Sequence, residues 1–231
     1  MRILVVEDDG ALREELRAQF VESGFSVDVA SDGREALLAG LSYPLDGALV
    51  NLGMPTMSGL EVIRTWRRKE RDFPVVILTG RRGSQHRVEG LKAGADDYIE
   101  KPFSMEEVIT RMHCVVRRSL RWSSPEIVCG PFTLDTHSRT ASARGIPLDL
   151  TTFEFRLLET LMLNAGKVLS AGTLTEKLYD QSAEHESNTV AYFICRLRRK
   201  LDPLNALDPI ETVYGGGYRF AIERGRSPRK S

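Results

Sequence analysis

Ala48-Leu49-Val50-Asn51-Leu52-Gly53-Met54-Pro55 closes a short apolar run, Leu45–Val50, on a polar side chain and then breaks it with glycine and proline. Four more runs of this length and β-branched character recur at Arg2–Val6, Ser26–Ala30, Val75–Thr79 and Asp97–Ile99. Helical segments separate them. Leu12, Leu16, Phe20 and Val21 recur at helical spacing before Gly24. Ser58 with Glu61 three residues on is a capping-box pattern. Ser104 with Glu106 and Glu107 opens a last helix that runs to about Arg118. Strands alternating with helices call for a doubly wound α/β layer structure with five parallel strands.

In such a sheet, ligands bind outside the carboxyl ends of the strands, so the residues at those ends carry the chemistry. The first strand ends in Glu7-Asp8, the third in Asn51 and the fourth in Thr79, and the fifth is followed by Lys101-Pro102. Paired carboxylates suit Mg²⁺, a hard cation that takes oxygen ligands. A hydroxyl and an ammonium suit a phosphoryl group, whose spread charge needs donors around it. Asn51 departs from this chemistry: an amide oxygen is a poor nucleophile where a carboxylate would attack phosphorus, and the negative charge it removes should weaken Mg²⁺ at the site or leave the ion absent.

Composition bounds the rest. With 231 residues, 42 % hydrophobic and 28 % charged, the chain is ordinary globular material, enough for one large domain or two small ones. No apolar run suggests a membrane span, and the start runs into Glu7-Asp8-Asp9 rather than a cleavage site, so a cytoplasmic protein is expected. Cys114, Cys129 and Cys195 fit reduced thiols, and His86, His113, His137 and His185 are read as scattered surface residues. Residues 1–120 hold 17 Lys+Arg against 19 Asp+Glu, and the remainder 15 against 13. The excess of cations concentrates at Arg196, Arg198, Arg199 and Lys200 and in a basic tail over residues 225–231.

The second half begins after Ser119–Pro125, which reads as a linker between domains at residues 1–118 and 126–224. Strands are expected at Ile127–Asp135, Thr140–Ala143 and Ile146–Leu150, and helices at Thr151–Asn164, Ala171–Tyr179 and Ser187–Leu201. Val190, Ile194, Leu197 and Leu201 form the buried stripe of the third helix, so Thr189, Tyr192, Arg196 and Arg199 face outward as a polar, basic surface. Arginine neutralises phosphates and pairs with guanine, so this face suits a DNA major groove. Ile210–Tyr214, Gly215-Gly216-Gly217 and Tyr218-Arg219-Phe220 make a hairpin, and a hairpin after a basic helix points to a winged helix-turn-helix of α+β class.

These motifs resemble a known family over nearly the whole chain. Residues 1–118 are similar to the flavodoxin-like receiver domain of two-component response regulators. The resemblance implies Mg²⁺ ligation by Glu7, Asp8 and the Gly53 carbonyl, phosphoryl contacts from Thr79 and Lys101, an aromatic switch at Tyr98, and a phosphoacceptor at the position of Asn51, where aspartate is expected. Leu150-Thr151-Thr152-Phe153-Glu154-Phe155-Arg156-Leu157-Leu158, Asn188-Thr189-Val190, Arg196-Leu197-Arg198-Arg199-Lys200-Leu201 and Thr212-Val213 with Gly217-Tyr218-Arg219 are similar to OmpR/PhoB effector domains. By position they imply DNA contacts from Asn188, Thr189, Arg196, Arg198 and Thr212. Tyr214 stands where the wing commonly carries arginine, and Phe193 and Cys195 replace polar residues. The resemblance further implies a histidine kinase, RNA polymerase and promoter direct repeats as partners. It also implies a homodimer through the fourth helix, fifth strand and fifth helix, pairing Arg87 with Glu107, Asp97 with Arg111 and Asp96 with Arg118.

Asn51 has two origins open to it at this level: a natural regulator that works without phosphate, or a laboratory Asp→Asn replacement that freezes the unphosphorylated state, which the otherwise intact pocket favours. Two rivals stand beside a DNA-binding regulator. One is a Mg²⁺-dependent phosphate-ester hydrolase, which the missing nucleophile disfavours, and the other an adaptor whose basic helix meets an acidic partner.

Overall fold

A computed structural model describes residues 1–80, 83–119, 124, 126–136, 138–178, 189–203, 206–223 and 225. The chain divides into two compact units, Met1–Arg121 and Trp122–Ser231. In the first, β1 (Arg2–Val6), α1 (Gly10–Glu22), β2 (Ser26–Ala30), α2 (Gly33–Ser42), β3 (Gly47–Asn51), α3 (Gly59–Arg68), β4 (Val75–Thr79), α4 (Ser84–Lys92), β5 (Asp97–Glu100) and α5 (Met105–Ser119) alternate as expected. The strands order as β2-β1-β3-β4-β5, and every pairing is parallel. β1, β3 and β4 are buried along their full length, as a sheet covered on both faces requires.

Local chemistry sets the helix ends. Asp9 caps α1 by accepting from Leu12 N (3.0 Å), and Ser58 and Glu61 close both bonds of a capping box on α3. Trp66, fully buried, packs edge-on to Phe73 and donates its indole N–H to Leu37 O at 3.3 Å. Val21 departs from the expected apolar stripe of α1: it is exposed, and only Leu16 and Phe20 are buried there. Adjacent residues on a helix point 100° apart, so Phe20 and Val21 cannot both face the sheet.

Among its described residues the second unit holds two antiparallel sheets and three helices. β6 (Glu126–Cys129), β7 (Phe132–Asp135), β8 (Thr140–Ala143) and β9 (Ile146–Pro147) form one sheet in chain order. Then follow α6 (Thr152–Leu163), β10 (Val168–Leu169), α7 (Ala171–Leu178), α8 (Thr189–Leu201), β11 (Ile210–Val213) and β12 (Gly217–Phe220), the last sheet ordering as β10-β12-β11. The expected strand Ile127–Asp135 is two strands. Gly130 at φ 54° turns the chain between them, so Cys129 pairs with Phe132. Ile146–Leu150 likewise shortens to Ile146–Pro147.

The hairpin of β11 and β12 depends on Gly217. Its φ is 126°, and a Cβ there would lie 2.1 Å from Leu169 O, a backbone atom of β10 that cannot move aside. Gly217→Ala therefore meets both a strained dihedral and a clash, and is expected to destabilise the second unit by about 1–3 kcal/mol. A urea unfolding curve of the full chain checks this, with the loss confined to the transition of the second unit.

Candidate functional sites: the acidic rim and the basic helix

The order β2-β1-β3-β4-β5 reverses direction between β1 and β3, and the crevice outside their carboxyl ends is the switch point of the sheet. Glu7 and Asn51 meet there. Glu7 is 1 % exposed and Asn51 8 % exposed. Asn51 Nδ2 donates to Glu7 Oε1 at 2.8 Å and to Asp8 Oδ1 at 2.8 Å, while Asn51 Oδ1 accepts from Gly53 N at 3.2 Å. Lys101 Nζ reaches the other Glu7 oxygen, Oε2, at 2.7 Å. Both carboxylate oxygens of Glu7 are thus engaged.

Thr79, at the end of β4, is buried, and its carbonyl accepts from Lys101 N at 2.8 Å across a chain that continues through the cis Lys101–Pro102 peptide. Tyr98 is buried in β5. Arg13, absent from the sequence reading, donates from Nη1 to Glu7 O at 2.7 Å. A basic residue one turn into α1 was the available signal, and it became informative only once α1 was placed over the end of β1.

The resemblance drawn from the sequence implies Mg²⁺ at this rim, and the arrangement here does not fit the ion. A divalent cation needs oxygen lone pairs converging from several ligands. Residue 51 instead points two N–H bonds at the two carboxylates. Turning the amide over would set Nδ2 against the Gly53 N–H, donor to donor, and Oδ1 against two anions. The hydrogen-bond network therefore fixes the amide orientation.

The fourth helix, fifth strand and fifth helix carry the expected charged face. Arg111 is held within its own chain, by Asp97 Oδ2 at 2.9 Å and Glu107 Oε1 at 2.9 Å. The hydrogen bond it donates to Asp97 raises its pKa, with Glu107 adding to it. Asp96 accepts from Val75 N (2.8 Å) and lies 3.3 Å from Arg67 Nη2. Arg87 and Arg118 are exposed, as are Val88 and Leu91 on α4.

In the second unit Val190, Ile194, Leu197 and Leu201 are all buried, which turns the opposite face of α8 outward. Tyr192 is 56 % exposed and Arg199 is exposed. Thr189 opens the helix, and Asn188 lies outside the described residues, as do Arg224 and the basic tail after Gly225. Arg196 is more constrained than periodicity implied: its Nε is 2.8 Å from Glu154 Oε1, and its Nη1 donates to Tyr192 Oη at 3.1 Å. Arg198 turns away from the outer face. It donates to Ile210 O at 2.8 Å and to Thr212 Oγ1 at 2.9 Å, tying α8 to β11. Tyr214, at the tip of the β11–β12 hairpin, is 98 % exposed.

Glu154 was legible only as a helix cap. It is fully buried, accepts from Thr151 N (2.8 Å), and takes Arg196 on one oxygen and Lys200 (2.7 Å) on the other. Arg196 and Lys200 are four apart on α8, the spacing that lets one carboxylate hold both. Burial pushes the Glu154 pKa up, and the hydrogen bonds from Lys200 and Thr151 outweigh it, leaving the group below its ordinary 4.5. A depressed folded pKa contributes stability that is full above the unfolded value and lost as pH falls through the folded one. The second unit should therefore lose stability below about pH 4.5, and Glu154→Gln should flatten that dependence, read from unfolding midpoints at a series of pH values.

His113 corrects the surface reading of the histidines. Half-buried on α5, it packs at 4.4 Å between ring centroids on buried Phe25.

Residues 3–113 match the family described as "Response regulator receiver domain", and residues 145–220 match "Transcriptional regulatory protein, C terminal". Over 220 residues, 95 % of this chain and 98 % of the relative, the sequence is 42 % identical to "Two-component response regulator PhoP" of Pseudomonas aeruginosa. The chain is a two-component response regulator of the OmpR/PhoB family. A second relative, "Transcriptional regulatory protein PhoP" of Escherichia coli, is 40 % identical over 96 % of this chain and all of its own. The solved receiver domain of the Francisella response regulator 1452 is 33 % identical with a TM-score of 0.50, covering 51 % of this chain and 98 % of that one. Family membership makes the chain a DNA-binding transcriptional regulator with a histidine kinase as its partner protein. Among the described residues no helix is long and apolar enough to cross a membrane, and the three cysteines are not joined in disulfides.

Proposed function

We propose that this response regulator binds promoter direct repeats as a homodimer and acts on RNA polymerase there, with a receiver that cannot be phosphorylated at residue 51. The observation that carries the phosphate-independent part is the side chain itself. Asn51 lies at the switch point of the sheet with its amide spent on Glu7, Asp8 and Gly53, and it offers no carboxylate oxygen to an incoming phosphoryl group.

The outer face of α8 supports the DNA-binding part. Tyr192, Arg196 and Arg199 stand over a fully apolar stripe, with Thr189 at the helix start and Tyr214 projecting from the wing. Arg198 and Thr212 serve better as the brace between helix and wing than as base contacts, because they bond to each other and Arg198 also holds the β11 backbone. For the dimer, Val88 and Leu91 supply exposed apolar area on α4, the helix that also carries Arg87, and Asp97, Glu107, Arg111 and Arg118 supply charge on β5 and α5. The Asp97–Arg111–Glu107 contacts made within one chain would be exchanged for contacts across the interface. Asp96, tied to Val75 N and Arg67, contributes least to that exchange.

Binding to duplexes selected from a randomised pool tests the DNA assignment. Arg199→Ala is expected to weaken specific binding by about 1–3 kcal/mol without changing the unfolding midpoint. The logarithm of affinity should fall against the logarithm of salt with a slope of about −0.9 per phosphate contact. A flat salt dependence would favour an adaptor that meets an acidic protein.

A further inference from the structure

We propose that the Asn51 amide is a built-in substitute for the divalent cation of the receiver, so that the acidic rim is complete without metal and indifferent to it. This goes beyond the inability to accept phosphate. A receiver lacking the acceptor could still hold Mg²⁺ on Glu7, Asp8 and a backbone carbonyl.

The argument is one of charge and donors. Buried Glu7 and exposed Asp8 bring two carboxylates within reach of one amide at the switch point, and a donor between them eases the repulsion of like charges. Here the NH₂ group of Asn51 lies between them, 2.8 Å from an oxygen of each. An amide N–H carries only partial positive charge, but it adds no anion of its own, whereas a carboxylate at residue 51 would add a third. Lys101 supplies the remaining full charge, 2.7 Å from the second Glu7 oxygen and with 27 % of its side chain exposed.

The site is satisfied on its other sides as well. Asn51 Oδ1 takes the Gly53 N–H, and Arg13 holds the Glu7 carbonyl. For a cation to enter, the amide must give up both carboxylates and leave at least one N–H without an acceptor in a buried position, which is costly. Among the described residues no group of three or more His, Cys, Asp or Glu side chains is placed to hold a metal ion.

The test titrates the full-length chain with Mn²⁺, following the free ion by electron paramagnetic resonance, and measures its melting temperature with and without Mg²⁺. The chain carrying Asn51, taken as the wild-type reference whatever the origin of that residue, is expected to show no saturable site at millimolar Mn²⁺ and no Mg²⁺-dependent rise in melting temperature. Asn51→Asp should gain a saturable site and melt lower in EDTA, with the loss recovered in Mg²⁺, because a ligand that binds only the folded state stabilises it. Asn51→Ala, which empties the place of the amide without adding charge, should gain a weaker site and covers the case in which Asn51→Asp does not fold.

Saturable Mn²⁺ binding by the wild-type chain that disappears in a Glu7→Gln/Asp8→Asn variant would overturn the proposal. So would folded Asn51→Asp and Asn51→Ala chains that bind no more Mn²⁺ than wild type. In either case a wild-type chain that still takes no phosphoryl group would leave the reading of Asn51 as an inert acceptor intact.

Discussion

Asn51→Asp is expected to turn an inert receiver into one that gains a phosphoryl group from acetyl phosphate in the presence of Mg²⁺, detected as a mass shift of the intact chain and mapped to residue 51. The effect is close to all-or-none, because phosphoryl transfer needs an oxygen nucleophile aligned with the leaving group, and an amide cannot supply it. The rest of the rim is in place. Thr79 ends β4, Lys101 stands at Glu7, and the Gly53 backbone lies beside residue 51. A carboxylate there loses the two N–H bonds to Glu7 and Asp8 and creates three neighbouring anions, which draws a divalent ion into the site. Wild-type protein treated in the same way should keep its mass. If Asn51→Asp fails to react while remaining folded, the rim has lost its chemistry beyond one side chain, and the regulator is phosphate-independent by construction.

The second large effect concerns stability and lies at the opposite end of the same strands. Arg2 on β1 and Asp28 on β2 are each 3 % exposed, and they form a two-pronged pair, Nε to Oδ2 at 2.6 Å and Nη2 to Oδ1 at 3.0 Å. The guanidinium also lies over the Tyr43 ring, 4.6 Å from its centroid. Asp28→Ala removes one member of a buried ion pair together with both prongs of its bond to Arg2, and is expected to cost about 3–5 kcal/mol. Replacing both partners with apolar residues of similar volume, Arg2→Met with Asp28→Leu, should recover most of that loss, since a buried pair by itself is weakly stabilising at best. Urea unfolding of the full chain, with the transition of the first unit followed separately, distinguishes the two variants.

Much of this architecture is legible in the sequence because its signals are local. Five β-branched runs with helices between them require a parallel sheet, and the strand ends then name the rim. The boxes Ser58–Glu61 and Thr151–Glu154 mark two helix starts within a residue. The stripe Val190, Ile194, Leu197, Leu201 fixes which face of α8 is outward.

What escaped the sequence depends on contacts between residues far apart in the chain. Nothing near Glu154 shows that it will hold Arg196 and Lys200, 42 and 46 residues away. Arg198 reads as one more cation of the basic helix until β11 is placed beside it. The turn at Gly130 passed unnoticed because the residues on both sides of it are apolar and fit one long strand. Asn51 was recognisable as an odd amide, but its use of both N–H bonds on two carboxylates requires Glu7 and Asp8 to be brought to it across 44 and 43 residues.

The central claim is that this regulator binds DNA with a receiver that phosphate does not switch. The most direct test measures affinity for a selected direct-repeat duplex at constant salt and constant Mg²⁺, with and without acetyl phosphate, for wild type and Asn51→Asp side by side. Wild-type affinity should be the same in both conditions, while Asn51→Asp responds to the phosphodonor. A wild-type affinity that rises with acetyl phosphate, together with a phosphoryl group mapped to the chain, would contradict the account.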